Sequence, residues 1–239
     1  MTVSETTYPT PDDAAAVRAA ERLMEETMAR YDPSHDAYHV RRVRKTALSL
    51  AQSVQSPSTP PDFLTVELAA LLHDVLDKKY VPESAASDPY AYFLPFFQSL
   101  RALAPSIDLI ADGRAKTIAK IVENVSWTTE KKLRNDGKWG EWHEHCIELH
   151  CTQDADRLDA IGAFGIMRCS AFSSATNRVL HAPSGDPIQN ETAIQHFHDK
   201  LLHIRERMKT EPGKKLAERR HKLMLDFLSA VDEEYEAAL

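Results

Sequence analysis

The sequence predicts an all-α protein, and three observations carry the prediction. Glycine is scarce, with 7 in 239 residues, against a usual share of about 7%, which disfavours an all-β fold full of tight turns. The chain is rich in Ala, Leu, Glu, Lys and Arg, residues that favour helix. Apolar residues recur at three- and four-residue spacing in one segment after another, and strand-like alternation is weak everywhere. Hydrophobic residues at 43% and charged residues at 27% are ordinary for a globular chain, so compositional disorder is not expected.

The elements follow in order. Residues Met1 to Pro11 are polar and read as a flexible N-terminus. Asp12 and Asp13 suit a helix start, and the helix runs to about Arg30 with Val17, Leu23, Met24 and Met28 inward. Asp32-Pro33-Ser34 breaks it. A second helix runs from His35 or Asp36 to about Val54, burying Val40, Val43, Ala47, Leu48 and Ala51. After a loop over Ser56 to Pro61, Pro61 suits the first turn of a third helix. Its apolar run of Leu64, Leu68, Ala69, Leu71, Leu72 and Val75 places it near the middle of the protein.

Asp77 to Pro89 reads as a loop. Helices are expected over Tyr90–Leu103 and Ile107–Val125, and Thr128 to Glu144 as a polar, exposed excursion containing Trp139 and Trp142. Asp154–Phe172 reads as helix, with Gly162 and Gly165 spaced to let another helix approach. A loop over Ser173 to Gln189 precedes helices at Glu191–Lys209 and Lys214–Ala238, separated by Glu211-Pro212-Gly213. No repeat and no long linker appears, so the expectation is a single helical domain over residues 12–239.

Charge narrows the partners. Lys and Arg number 29 and Asp and Glu 36, a net charge of −7, whereas a dedicated duplex-DNA binder usually carries a basic domain. No nucleic-acid partner is expected. The cysteines, Cys146, Cys151 and Cys169, match no disulfide framework or zinc spacing. No secretory signal and no membrane span is visible, so a cytoplasmic protein without membrane contact is expected; homo-oligomerisation is left open.

His73-Asp74 is the sharpest chemical feature. A charged residue in an apolar helix needs a compensating partner, and imidazole nitrogen with carboxylate oxygen suits Mn²⁺, Fe²⁺, Zn²⁺ or Mg²⁺. Equally, the pair could cap the end of a core helix. His35 and His39 are four apart on one face of the second helix, and Asp154 opens a later one. Asp77 lies one turn after His73, where a carboxylate can take a proton from water. Lys79 follows, and Arg157 shares a face with Asp154, where it could bind phosphate or orient the carboxylate. His35 and Asp36 could orient the His39 ring or simply start the helix. His196 and Lys200, four apart, could reach a triphosphate. A stack of Trp127, Trp139 or Trp142 on a base is set against their packing a loop.

The order His39 … His73-Asp74 … Asp154 resembles the HD-domain phosphohydrolase superfamily. Ser34-His35-Asp36-Ala37-Tyr38-His39-Val40-Arg41-Arg42-Val43, Leu71-Leu72-His73-Asp74-Val75-Leu76-Asp77-Lys78-Lys79-Tyr80 and Gln153-Asp154-Ala155-Asp156-Arg157-Leu158-Asp159 resemble the motifs of its small bacterial and fungal nucleotide pyrophosphohydrolases. The tail from Ala193 to Ala217 is similar as well.

The resemblance implies a helical bundle of HD-domain type, with His39, His73, Asp74 and Asp154 as ligands of one divalent metal, Mn²⁺ favoured. His143, His145 and His150 read as outside that set, which argues for a mononuclear site. The implied reaction is hydrolysis of a nucleoside triphosphate to monophosphate and pyrophosphate by metal-activated water, with Asp77 and Arg157 catalytic and Lys79, His196 and Lys200 on the substrate. The alternatives are a nucleoside monophosphate phosphatase and a non-catalytic nucleotide-binding protein of the same fold.

Overall fold

The structure, a computed structural model, describes residues 7–29, 36–54, 60–76, 81 and 87–237. Among these residues there are helices and no strands. The α-helices are α1 (Pro11–Met28), α2 (Ala37–Ser53), α3 (Phe63–Leu72), α4 (Pro89–Leu103), α5 (Arg114–Asn124), α6 (Trp127–Asn135), α7 (Glu141–His145), α8 (Ile147–Asp159), α9 (Gly162–Ala175), α10 (Ala193–Asp199) and α11 (Glu211–Glu236), with 3-10 segments at Gln189–Glu191 and Leu201–Arg207. No described helix is long and apolar enough to cross a membrane.

Contacts divide the chain into two compact units, the first ending at Thr152 and the second running on from Gln153. The division falls inside α8, so no change of composition marks it in the sequence. In the first unit, α3 is the central helix. Nine of its ten residues are buried, from Leu64 to Leu72, and α1, α2 and α5 pack around it. Phe93, Phe97 and Leu100 of α4 and Ile118 and Ile121 of α5 complete that core. In the second unit, α11 packs against α9 and the Leu201–Arg207 segment. Phe197 and Phe227 meet there with ring centroids 5.7 Å apart.

Several expectations are corrected. Within the expected flexible terminus, residues 1–6 lie outside the described residues, but Tyr8 packs on Phe63 at 5.4 Å and donates its hydroxyl to Glu67. Thr10 caps α1 in a reciprocal pair with Asp13. The expected helix at Ile107 starts only at Arg114. Asp108 accepts the N–H groups of Ile110 and Ala111, which holds the chain in a turn, and Gly113 then takes φ +87°.

The polar excursion over 128–144 folds as α6 and α7. Ser126 caps α6 by accepting the Thr129 N–H at 3.1 Å, and buried Glu130 pairs with Arg134 at 2.9 Å. Trp139 and Trp142 pack on the core beneath Arg134 and Lys120. The helix expected over Asp154–Phe172 is two helices, broken where Gly162 takes φ +74°. The close approach expected there is present: a Cβ on Gly162 would lie 2.9 Å from the Arg220 Cβ of α11. Glu211-Pro212-Gly213 is not a break but the first turn of α11, capped by Thr210.

Candidate metal centre

Three of the four expected ligands come together in the first unit. Asp36 is the N-cap of α2 and accepts the backbone N–H of His39 at 2.9 Å, which sets His39 in the first turn. Of the two readings of Asp36, the one in which it starts the helix is present: its carboxylate holds the His39 backbone. α3 ends at Leu72, and His73 to Leu76 form turns, so His73 and Asp74 stand just past the apolar helix rather than within it. His73 Nδ1 meets the Ala70 carbonyl oxygen at 2.8 Å. A carbonyl only accepts, so Nδ1 carries the proton, and in its neutral form the ring presents its lone pair at Nε2.

The Nε2 atoms of His39 and His73 each lie 3.4 Å from Asp74 Oδ2. The two rings are 5.4 Å apart and inclined at 73°. One ligand atom from each of the three residues lies within 4.8 Å of the others. Both histidines are buried, and although the Asp74 side chain keeps 19% exposure, its Oδ2, which faces the two rings, is itself buried.

These residues fit a divalent ion. A separation of 3.4 Å is long for a direct hydrogen bond. It suits two donors about 2.1 Å from a shared ion at a near-tetrahedral angle. Burial raises the Asp74 carboxyl pKa, but the His73 and His39 rings in their protonated, cationic form outweigh it and hold the group well below the usual carboxylate range, and a divalent ion in place of those protons supplies the same positive charge. The group is therefore ionised, as a ligand must be.

Asp154 lies in the second unit and is fully buried. Its Oδ2 accepts the Thr210 N–H at 2.7 Å and the Thr210 hydroxyl at 2.8 Å, and its Oδ1 accepts the Lys209 N–H at 2.8 Å. Burial raises its pKa, and these bonds and Arg157 partly offset the rise. The Thr210 hydroxyl accepts the Gly213 N–H at 3.0 Å, and a Cβ on Gly213 would stand 2.4 Å from Asp154 Oδ2. The carboxylate thus anchors the start of α11. Sequence reading missed Lys209 and Thr210 as its partners, although a threonine two residues before a proline in a first helical turn is an N-cap signal.

Arg157 is buried and donates to the Arg207 carbonyl at 2.7 Å. Burial, Lys200 and Arg178 lower the His196 pKa, in that order, so these cationic groups lie near one another. Asp77, Lys79 and His35 lie outside the described residues. Among the other histidines, His143 Nε2 meets Asn124 Oδ1 at 3.3 Å and His150 Nε2 meets the His143 carbonyl at 2.8 Å; neither joins the group of three.

No family model matches the chain. YpgQ of Bacillus subtilis, an uncharacterised protein, is 32% identical over 203 residues, 84% of each chain. Its crystal structure in complex with ADP superposes with a TM-score of 0.65 at 27% identity, covering 91% of this chain and 98% of that one. An HD-superfamily hydrolase from Bacillus thuringiensis superposes with a TM-score of 0.69 at 27% identity, covering 95% and 100%. The Lin1889 protein of Listeria innocua gives 0.68 at 28% identity, covering 95% and 99%. With this likeness along most of its length, the chain belongs to the HD-domain superfamily of hydrolases.

Proposed function

We propose that the chain is a metal-dependent phosphohydrolase that cleaves nucleoside triphosphates to monophosphates and pyrophosphate. The observation that carries this reading is the convergence of His39 Nε2 and His73 Nε2 on one Asp74 oxygen, at 3.4 Å each. The ADP complex of YpgQ supports a nucleotide as the ligand class, and the motif order supports pyrophosphate as the leaving group. The proposal places this in one HD-type domain over residues 12–239.

His39, His73 and Asp74 would hold the ion, with Mn²⁺ favoured, and the motif order adds Asp154. A divalent ion at such a centre lowers the pKa of water and neutralises charge on a phosphoryl oxygen. Asp77, one turn beyond His73 in sequence, accepts the proton of the attacking water. Lys79 neutralises phosphate charge. Arg157 serves the reaction either on the phosphate or by holding the Asp154 carboxylate. Lys200 supplies positive charge for a triphosphate, and His196 a hydrogen-bonding ring beside it.

Product analysis tests the reading. Ribo- and deoxyribonucleoside mono-, di- and triphosphates are incubated with Mn²⁺, Mg²⁺, Fe²⁺ or Zn²⁺ in turn. Pyrophosphate with the matching monophosphate is expected. Orthophosphate from monophosphates would replace the proposal with a phosphatase, and absence of turnover with nucleotide binding retained would replace it with a binding protein.

A further inference from the structure

We propose that Arg44 and Glu67 form a positioning pair for the metal centre, setting the register of α2 against α3 so that His39 meets His73 and Asp74. The proposal rests on the reading of that centre as a divalent-ion site.

The argument starts from α3. Its sequence, Phe-Leu-Thr-Val-Glu-Leu-Ala-Ala-Leu-Leu, is apolar on every side, and Glu67 is its one charged residue. A helix apolar all round can turn or slide against its neighbours with little change in buried area. A single buried polar contact breaks that degeneracy, as a lone polar residue fixes register in a coiled coil.

Glu67 makes such a contact. Its side chain is 4% exposed and its Oε1 lies 2.7 Å from Arg44 Nε of α2. The Tyr8 hydroxyl donates to its other oxygen. Arg44 also reaches Glu21 of α1 at 3.4 Å, and Arg41, one turn earlier on α2, pairs with Glu21 at 3.1 Å and with Glu25. α2 carries His39, and α3 leads directly into His73 and Asp74. His39 lies five residues before Arg44, and Asp74 lies seven after Glu67, two residues past the end of α3.

A buried ion pair is weak evidence of stabilisation, because desolvation offsets its attraction. An apolar pair of similar volume would still pack α2 on α3, at the cost of leaving the Tyr8 hydroxyl without its acceptor. What it would lose is the register, and with it the 3.4 Å geometry at Asp74.

The test is the double variant Arg44→Met with Glu67→Leu, with Glu67→Gln as a milder second variant that removes the charge and keeps the shape. Three quantities are measured: the thermal midpoint, Mn²⁺ affinity by calorimetry, and, in metal-free protein, the imidazole ¹⁵N resonances of His39 and His73. The expected result is a folded double variant whose midpoint falls only by the loss of the Tyr8 acceptor and the Glu21 contact, Mn²⁺ affinity reduced at least about tenfold, and displaced resonances from both histidines. If the double variant does not fold, Glu67→Gln decides by the same affinity and resonance changes. Wild-type affinity with unmoved resonances in a folded variant would overturn the proposal. If the wild-type chain binds no Mn²⁺, the ion reading fails. The metal-free resonances then still decide the positioning role, displaced for it and unmoved against it.

Discussion

His73 spends one ring nitrogen on the end of its own helix: Nδ1 donates to the Ala70 carbonyl at 2.8 Å. The bond satisfies one of the carbonyls a helix leaves open at its C-terminus and turns Nε2 toward Asp74. The helix-capping reading of this residue therefore holds at Nδ1, and it leaves Nε2 for the proposed metal. His73→Phe keeps the ring volume and removes both nitrogens. Calorimetry should show Mn²⁺ binding lost, and thermal unfolding should show a cost of about 1 kcal/mol for the missing bond.

Asp154 is assigned two tasks, metal ligand and anchor of α11. Asp154→Asn turns an amide NH₂ toward the N–H groups of Lys209 and Thr210, which now face a carboxylate. Stability should fall by about 1–3 kcal/mol and Mn²⁺ affinity should fall with it. A variant that loses stability and keeps full affinity would leave Asp154 as anchor alone.

Two glycines separate backbone strain from crowding. Gly113 and Gly162 both have positive φ, +87° and +74°. A Cβ on Gly113 would meet nothing within 4 Å, whereas one on Gly162 would lie 2.9 Å from Arg220 Cβ and Cγ. Gly113→Ala should cost about 1–2 kcal/mol, the left-handed backbone penalty. Gly162→Ala should cost more, because Arg220 donates to the Leu158 carbonyl and cannot withdraw freely. Denaturant unfolding of the two variants checks the order.

The pH dependence should involve His143. Its Nδ1 accepts the Gly140 N–H at 3.2 Å, a bond that only the neutral ring makes. Burial lowers its pKa, helped by Lys120 and Arg134 and opposed by Glu144. The unfolded chain therefore takes up the proton first as pH falls below about 6.5. Its contribution is fully present above that value and declines as pH drops toward the depressed folded pKa. The stability difference between wild type and His143→Gln, followed by thermal unfolding, should shrink over that window. A difference constant with pH would remove His143 from the account.

How far the sequence was legible follows the range of the interactions. The order of the α-helices up to Leu103 could be read because caps such as Asp36 and the apolar faces are local signals. His73 and Asp74 drew attention because a carboxylate beside an apolar run demands a partner, and His39 was added to them by the resemblance of the motif order. The partners of Asp154 were not, since Lys209 and Thr210 lie 55 and 56 residues further on. Helices α6 and α7 were hidden because their polar sequence is held by tertiary contacts, Lys120 on Trp142 and Arg134 on Trp139. Glu67 drew no attention within its apolar run because its partners, Tyr8 and Arg44, sit 59 and 23 residues away.

The central claim is that His39, His73 and Asp74 hold a divalent ion. Its most direct test is calorimetric titration of metal-free protein with Mn²⁺, wild type beside Asp74→Ala. Asp74 is partly exposed, and thermal unfolding of the variant establishes that it is folded. The account predicts about one ion bound per wild-type chain and none by the folded variant. Binding of Mn²⁺ by Asp74→Ala with wild-type affinity and stoichiometry would contradict it.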